Sequence, residues 1–183
     1  MGNFLGTSMR ILITGLALLT GISIVVPAAR SDGLQSIFGV YKESFANGDV
    51  TGRTFKSENI LELVRLSDRT AYFRIHLEFY NGHICSLYGV AQRDAGTYEY
   101  SSSDVDPSGN HCILDIKPMG KKLVLNEGTP RFVCKEMNCG ERGGFDGVSF
   151  DLGKRRDIRY MPRLLKSREY AAAIAEYAAR RKN

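Results

Sequence analysis

The chain has 183 residues, with 25 Lys/Arg against 20 Asp/Glu, four cysteines and no tryptophan. An apolar content of 43% without a low-complexity tract excludes a fibrous or disordered chain and suits one ordinary domain with extensions. The formal charge of +5 is unevenly spread: residues 1–28 hold only Arg10, residues 154–183 hold ten Lys/Arg and three Asp/Glu, and residues 29–153 hold the remaining 14 and 17. A mildly acidic body therefore carries a basic tail, an asymmetry that points the tail toward an anionic partner such as lipid or glycan.

The first 28 residues read as a secretory signal peptide. Arg10 precedes an uncharged run from Ile11 to Val26, and Val26-Pro27-Ala28 supplies the small residues of a cleavage site. Cleavage is expected after Ala28, with Ala29 as the near alternative. The rival is an uncleaved N-terminal membrane anchor, but the run is sixteen residues long, short of the roughly twenty a helical span needs. A periplasmic or secreted location follows.

Residues 29–153 read as a disulfide-stapled β-domain. A first strand is expected around Phe38 to Tyr41, Asn47-Gly48-Asp49 marks a turn, and Asn59 to Leu66 is a second strand of imperfect alternation. Tyr72 to Tyr80 has the clearest period of two. Phe73, Ile75, Leu77 and Phe79 face one way, while Tyr72, Arg74, His76, Glu78 and Tyr80 face the other. Asn81-Gly82 is a type I′ hairpin dipeptide, and His83 to Gln92 is the return strand. Further strands are expected near Tyr98–Tyr100, at Cys112–Ile116, at Lys122–Asn126 and at Val148–Asp151. The result is an all-β fold, a small antiparallel barrel or sandwich of about eight strands, with no helix before the tail. Its bulky inward positions predict a filled interior.

Four cysteines behind a signal peptide read as two disulfides, for which three pairings are open. The expected pairs are Cys85–Cys112, both on predicted strands, and Cys134–Cys139, a short local ring. No pair of C-x-x-C knuckles exists and an oxidising compartment disfavours free thiolates, so neither metal nor cofactor is expected. Asp104, Asp106, Ser108, Gly109 and Asp115 fall at positions of a calcium-loop pattern. Pro107 interrupts that pattern and no flanking helices are predicted, which favours a plain polar connection between strands.

The segment Phe132 to Phe150 holds Cys134, Cys139 and four glycines. It is expected to be a stapled loop in which Gly140, Gly143 and Gly144 supply backbone angles that other residues resist. Arg142, with Glu141 beside it and Gly143 and Gly144 after it, is the candidate binding group. A stapled corner whose arginine caps carbonyls or pairs with an acid of its own domain is the alternative, and it is favoured because small secreted domains use such staples for stability. Residues 154–183 read as a basic linker and a C-terminal helix. Ser167 is the expected N-cap, Glu169 lies in the first turn, Glu176 and Arg180 form an i,i+4 pair, and Tyr170, Ile174 and Tyr177 share one face suited to docking on the barrel.

Signal peptide, two disulfides and a compact β-barrel resemble the small periplasmic and secreted bacterial proteins that include the lysozyme inhibitors. The element Cys139-Gly140-Glu141-Arg142-Gly143 is similar to one in domains attached to such inhibitors. The Ser-Gly-x-x-Tyr element of the inhibitors of c-type lysozyme has no clear counterpart here. The resemblance implies a protein partner in the envelope, a lysozyme among the candidates, with Arg142 entering an acidic cleft. No nucleophile elbow, H-E-x-x-H, P-loop or Cys/His signature is present, so no enzymatic activity is expected. An exported binding protein is the first expectation. An envelope-associated structural protein held by its basic tail is the second, and nucleic acid is not an expected partner.

Overall fold

A computed structural model describes Gly2 and residues 37–181; the expected signal peptide, Gly2 apart, and its expected cleavage site lie outside the described residues. Eight antiparallel strands form one meandering sheet: β1 (Gly39–Gly48), β2 (Thr54–Arg65), β3 (Thr70–Glu78), β4 (Ile84–Asp94), β5 (Thr97–Val105), β6 (His111–Met119), β7 (Lys122–Glu127) and β8 (Ser149–Asp151). Every strand pairs with its neighbour in sequence. The sheet curls into a nearly closed barrel. The backbone of Val40 on β1 exchanges two hydrogen bonds with Arg156, just beyond β8 (2.8 and 3.0 Å), and the Tyr41 and Phe150 rings meet inside the seam. The expected barrel is thereby the observed one.

The interior is filled. Phe73, Ile75 and Leu77 are fully buried as their alternation requires, joined by Tyr41, Leu61, Leu63, Tyr98, Leu114 and Phe150. The β3–β4 turn falls at Asn81-Gly82 as expected, at φ 62° and 73°, but Phe79 N–H donates to His83 O at 2.8 Å, so the connection holds three residues, Tyr80–Gly82, and not the two of a type I′ hairpin. Asp106 closes the β5–β6 connection. Its carboxylate accepts from the backbone N–H groups of Ser108 and Asn110, both at 2.8 Å, so these oxygens serve the loop.

The 132–150 segment departs from expectation. It holds a short helix, α1 (Val133–Asn138), where a loop was expected. Glu127 at the end of β7 organises its start, Oε2 accepting from the N–H groups of Cys134 (3.1 Å) and Lys135 (3.4 Å). Val133 and Cys134 then join the barrel core. The helix explains why the expected disulfide pairing is wrong. The bridges are Cys85–Cys139 and Cys112–Cys134. Residues five apart on a helix point about 140° away from each other and are separated by roughly 7.5 Å along the axis, which rules out a Cys134–Cys139 ring. Cys85 and Cys112 lie on β4 and β6 with β5 between them, about two strand spacings apart and beyond disulfide reach. The two bridges instead fasten the start of α1 to β6 and its end to β4.

The tail forms α2 (Met161–Leu164) and α3 (Arg168–Arg180). The Ser167 hydroxyl caps α3, accepting from Tyr170 N–H at 3.2 Å, as expected. Tyr170, Ile174 and Tyr177 pack with Ile158, Leu164 and Ala173 on Val64, Tyr72 and Val90, a second core on the outside of the barrel. Tyr72 faces outward yet has 0% exposure because this layer covers it. Ladder pairing between β4 and β5 spans only Gln92–Asp94 and Thr97–Glu99, and α3 sits against β4 where the strands part. Arg180 donates to the carbonyl of Ser101 on β5 and, at 3.4 Å, to that of Val90 on β4. Glu176 accepts from Ser103 N–H at 2.8 Å. Both members of the expected i,i+4 pair are therefore turned to the barrel, where they satisfy backbone groups the ladder leaves open.

Candidate functional site

The Cys139–Gly144 segment is built around the Cys85–Cys139 bridge. Cys139 forms an isolated antiparallel bridge with Cys85, and Gly140 N–H donates to Ile84 O at 2.9 Å, laying this strip of chain against β4. The chain then reverses in a tight turn, Gly143 N–H donating to Gly140 O at 2.9 Å. Glu141 and Arg142 are its two central residues and both are exposed. Arg142 has no hydrogen bond or ion pair among the described residues, so its guanidinium is presented to solvent from a turn pinned at its base by a disulfide.

Gly140 and Gly143 are needed for room, and none of this turn's three glycines supplies the unusual backbone angles that were expected. Gly140, Gly143 and Gly144 all avoid the left-handed region; only Gly147, at φ 77° in the turn before β8, occupies it. A Cβ on Gly143 would lie 2.5 Å from Cys85 Sγ, and one on Gly140 would lie 2.8 Å from His83 Nδ1. Gly144 has nothing within 4 Å of that position. Gly143 is thus the residue that lets the turn close over the disulfide.

Two disulfides and no free cysteine are the signature of an oxidising environment, extracellular or periplasmic. No cluster of three or more His, Cys, Asp or Glu suited to a metal is present among the described residues.

A second constellation lies on the outer wall and was missed in the sequence. Glu62 on β2 and Arg74 on β3 are direct cross-strand partners. Arg74 Nε donates to Glu62 Oε2 at 2.6 Å and Nη2 to Oε1 at 3.0 Å. Tyr160, from the segment entering α2, donates its hydroxyl to the same Oε1. Glu62 is only 1% exposed, so a buried carboxylate is met by three donors. Burial, and then the Glu62 carboxylate, push the Tyr160 phenol well above its ordinary pKa, which keeps it a donor. Above this triad opens a cleft of about 420 Å³ between the outer faces of β1–β4 and the tail, rimmed by Lys42, His76, Arg163 and Glu169. The signal available in the sequence was symmetry: Glu62 and Arg74 are equally far from Asp68 in the β2–β3 turn, so an acid faces a base if that hairpin is in register.

Comparison with protein-family models, with curated proteins and with solved structures finds no match to this chain.

Proposed function

We propose that this is an exported binding protein of the bacterial cell envelope, acting in the periplasm or outside the cell after removal of its signal peptide near Ala28. Arg142 is its contact residue. The observation that carries this reading is the free guanidinium of Arg142 on a turn braced by Cys85–Cys139. The braced turn loses little backbone freedom on binding, and a guanidinium pairs bidentately with a carboxylate. An acidic cleft is the matching surface, and inhibition of a lysozyme-like cell-wall hydrolase is the specific form of the proposal. Glu141 beside it, and the glycine pair Gly143 and Gly144 behind it, shape the contact.

The test is an inhibition assay. The oxidised protein is added to a panel of lysozymes acting on cell-wall substrate. Slowed hydrolysis by the wild type, abolished by Arg142→Ala at unchanged thermal stability, is the expected result. A panel unaffected by the wild type removes lysozyme as the target.

A second reading has its own observation. Arg156, Arg159, Arg163, Lys166 and Arg168 of the tail are exposed, whereas Ile158, Leu164, Tyr170, Ile174 and Tyr177 are spent on the barrel. An envelope-associated structural protein that adheres to anionic lipid or glycan through this segment would use those charges. Its binding would weaken with salt.

A further inference from the structure

The outer cleft carries an inference independent of Arg142. Its charges can be sorted by what each already does. Lys42 pairs with Glu58 at 2.6 Å. Arg74 is held by Glu62 through Nε and Nη2, which leaves Nη1 without a bond to that carboxylate. Arg163 lies over the Tyr160 ring, 5.4 Å from its centroid. Neither Arg163 nor Glu169 has an ion pair among the described residues, so the rim holds one unspent charge of each sign.

The triad beneath has a form suited to positioning. A buried ion pair is weak as a source of stability, because desolvation offsets most of its Coulombic gain. What a fully buried Glu62 behind Arg74 does supply is a guanidinium fixed in orientation. Glu169 is anchored too: the backbone N–H of its own residue, then the Ser167 hydroxyl and, behind these, Arg74 hold its carboxyl below the usual range, and the group stays ionised near neutrality.

We propose that this cleft binds a small zwitterion of the amino-acid type, its carboxylate on Arg163 and Arg74 Nη1 and its ammonium on Glu169. A cleft of about 420 Å³ is larger than alanine itself and leaves room for a side chain on the zwitterion. An isolated anion would meet the Glu169 carboxylate and an isolated cation would meet Arg74, so either half alone binds less well than the joined pair.

The experiment is an amide NMR titration of the oxidised full chain with alanine, using acetate and methylamine as the two half-ligands. Saturable shifts at His76 and Ser86 are expected, with alanine at least about tenfold tighter than either half. Arg163→Gln and Glu169→Gln lie outside both cores, and each is expected to weaken alanine binding about tenfold, Arg163→Gln without lowering the melting temperature and Glu169→Gln with only the small loss that follows from removing a carboxylate from the first turn of α3. Arg142→Ala is expected to leave it unchanged. Shifts that never saturate, acetate or methylamine binding as tightly as alanine, or full binding by both rim variants would overturn the proposal.

Discussion

Gly143→Ala and Gly144→Ala are neighbouring substitutions of identical chemistry, and the structure assigns them opposite outcomes. At Gly143 the new methyl would stand 2.5 Å from Cys85 Sγ and 3.2 Å from Cys139 Cβ. That sulfur is locked in a disulfide and cannot swing aside, so the turn or β4 must shift. Overpacking of this kind costs about 1–3 kcal/mol. In a chain of this length each kcal/mol moves the melting temperature by about 2–4 °C, so a fall of roughly 2–12 °C is expected. At Gly144 the methyl would meet nothing within 4 Å and the backbone is outside the left-handed region. Alanine there removes freedom from the unfolded chain, so a change between zero and about +1 kcal/mol is expected. Gly140→Ala should fall between them, because its obstacle is the His83 side chain, which can move. Scanning calorimetry of the three oxidised variants reads the series directly. A Gly143→Ala protein as stable as wild type, or a Gly144→Ala protein that melts lower than Gly143→Ala, would refute the placement of this turn against the Cys85–Cys139 bridge.

Three further outcomes follow from the same geometry. Tyr160→Phe removes one of three donors from the buried Glu62 carboxylate, and urea unfolding should show a loss of about 1–3 kcal/mol; an unchanged midpoint would mean the tail does not engage the triad. Bridges that span 54 and 22 residues predict costs of about 4 kcal/mol for the double substitution Cys85→Ala with Cys139→Ala and about 3 kcal/mol for Cys112→Ala with Cys134→Ala. Peptide mapping of the unreduced protein that recovered Cys134 joined to Cys139 would contradict both. The Asp106 carboxyl is held below its ordinary 3.8, first by the backbone N–H of Asn110. A depressed acid stabilises the fold above its unfolded pKa and ceases to do so as pH falls through the lower folded value. The stability gap between wild type and Asp106→Asn should therefore be full at neutral pH and shrink below about pH 4; a gap that widens on acidification would be the wrong sign.

Much of the barrel was legible because its signals are local. The alternation of Tyr72 to Tyr80 placed Phe73, Ile75 and Leu77 inside, Asn81-Gly82 announced its turn, and Ser167 announced the start of α3. The helix α1 was not legible, since six residues make fewer than two turns and show no period. The disulfide partners were hidden with it, because which thiols meet depends on where that helix lies. Alternation also assigned Tyr72 to an outer face without revealing that the tail covers it. The Glu62–Arg74 pair needed the β2–β3 register, which one residue of slip would destroy. In the candidate binding turn, Arg142 was open to either role, and its exposure is settled by the structure. The reason for Gly143 was not legible, because the sulfur it accommodates comes from a strand more than fifty residues earlier.

The most direct measurement of the account is retention of an envelope-extract protein on the immobilised, oxidised chain, at low and high salt, with wild type beside Arg142→Ala. A stoichiometric partner that survives high salt and is lost with Arg142→Ala is the predicted result. Retention that is indifferent to Arg142 and disappears with salt would contradict it, and would assign the binding to the exposed arginines and lysines of the tail.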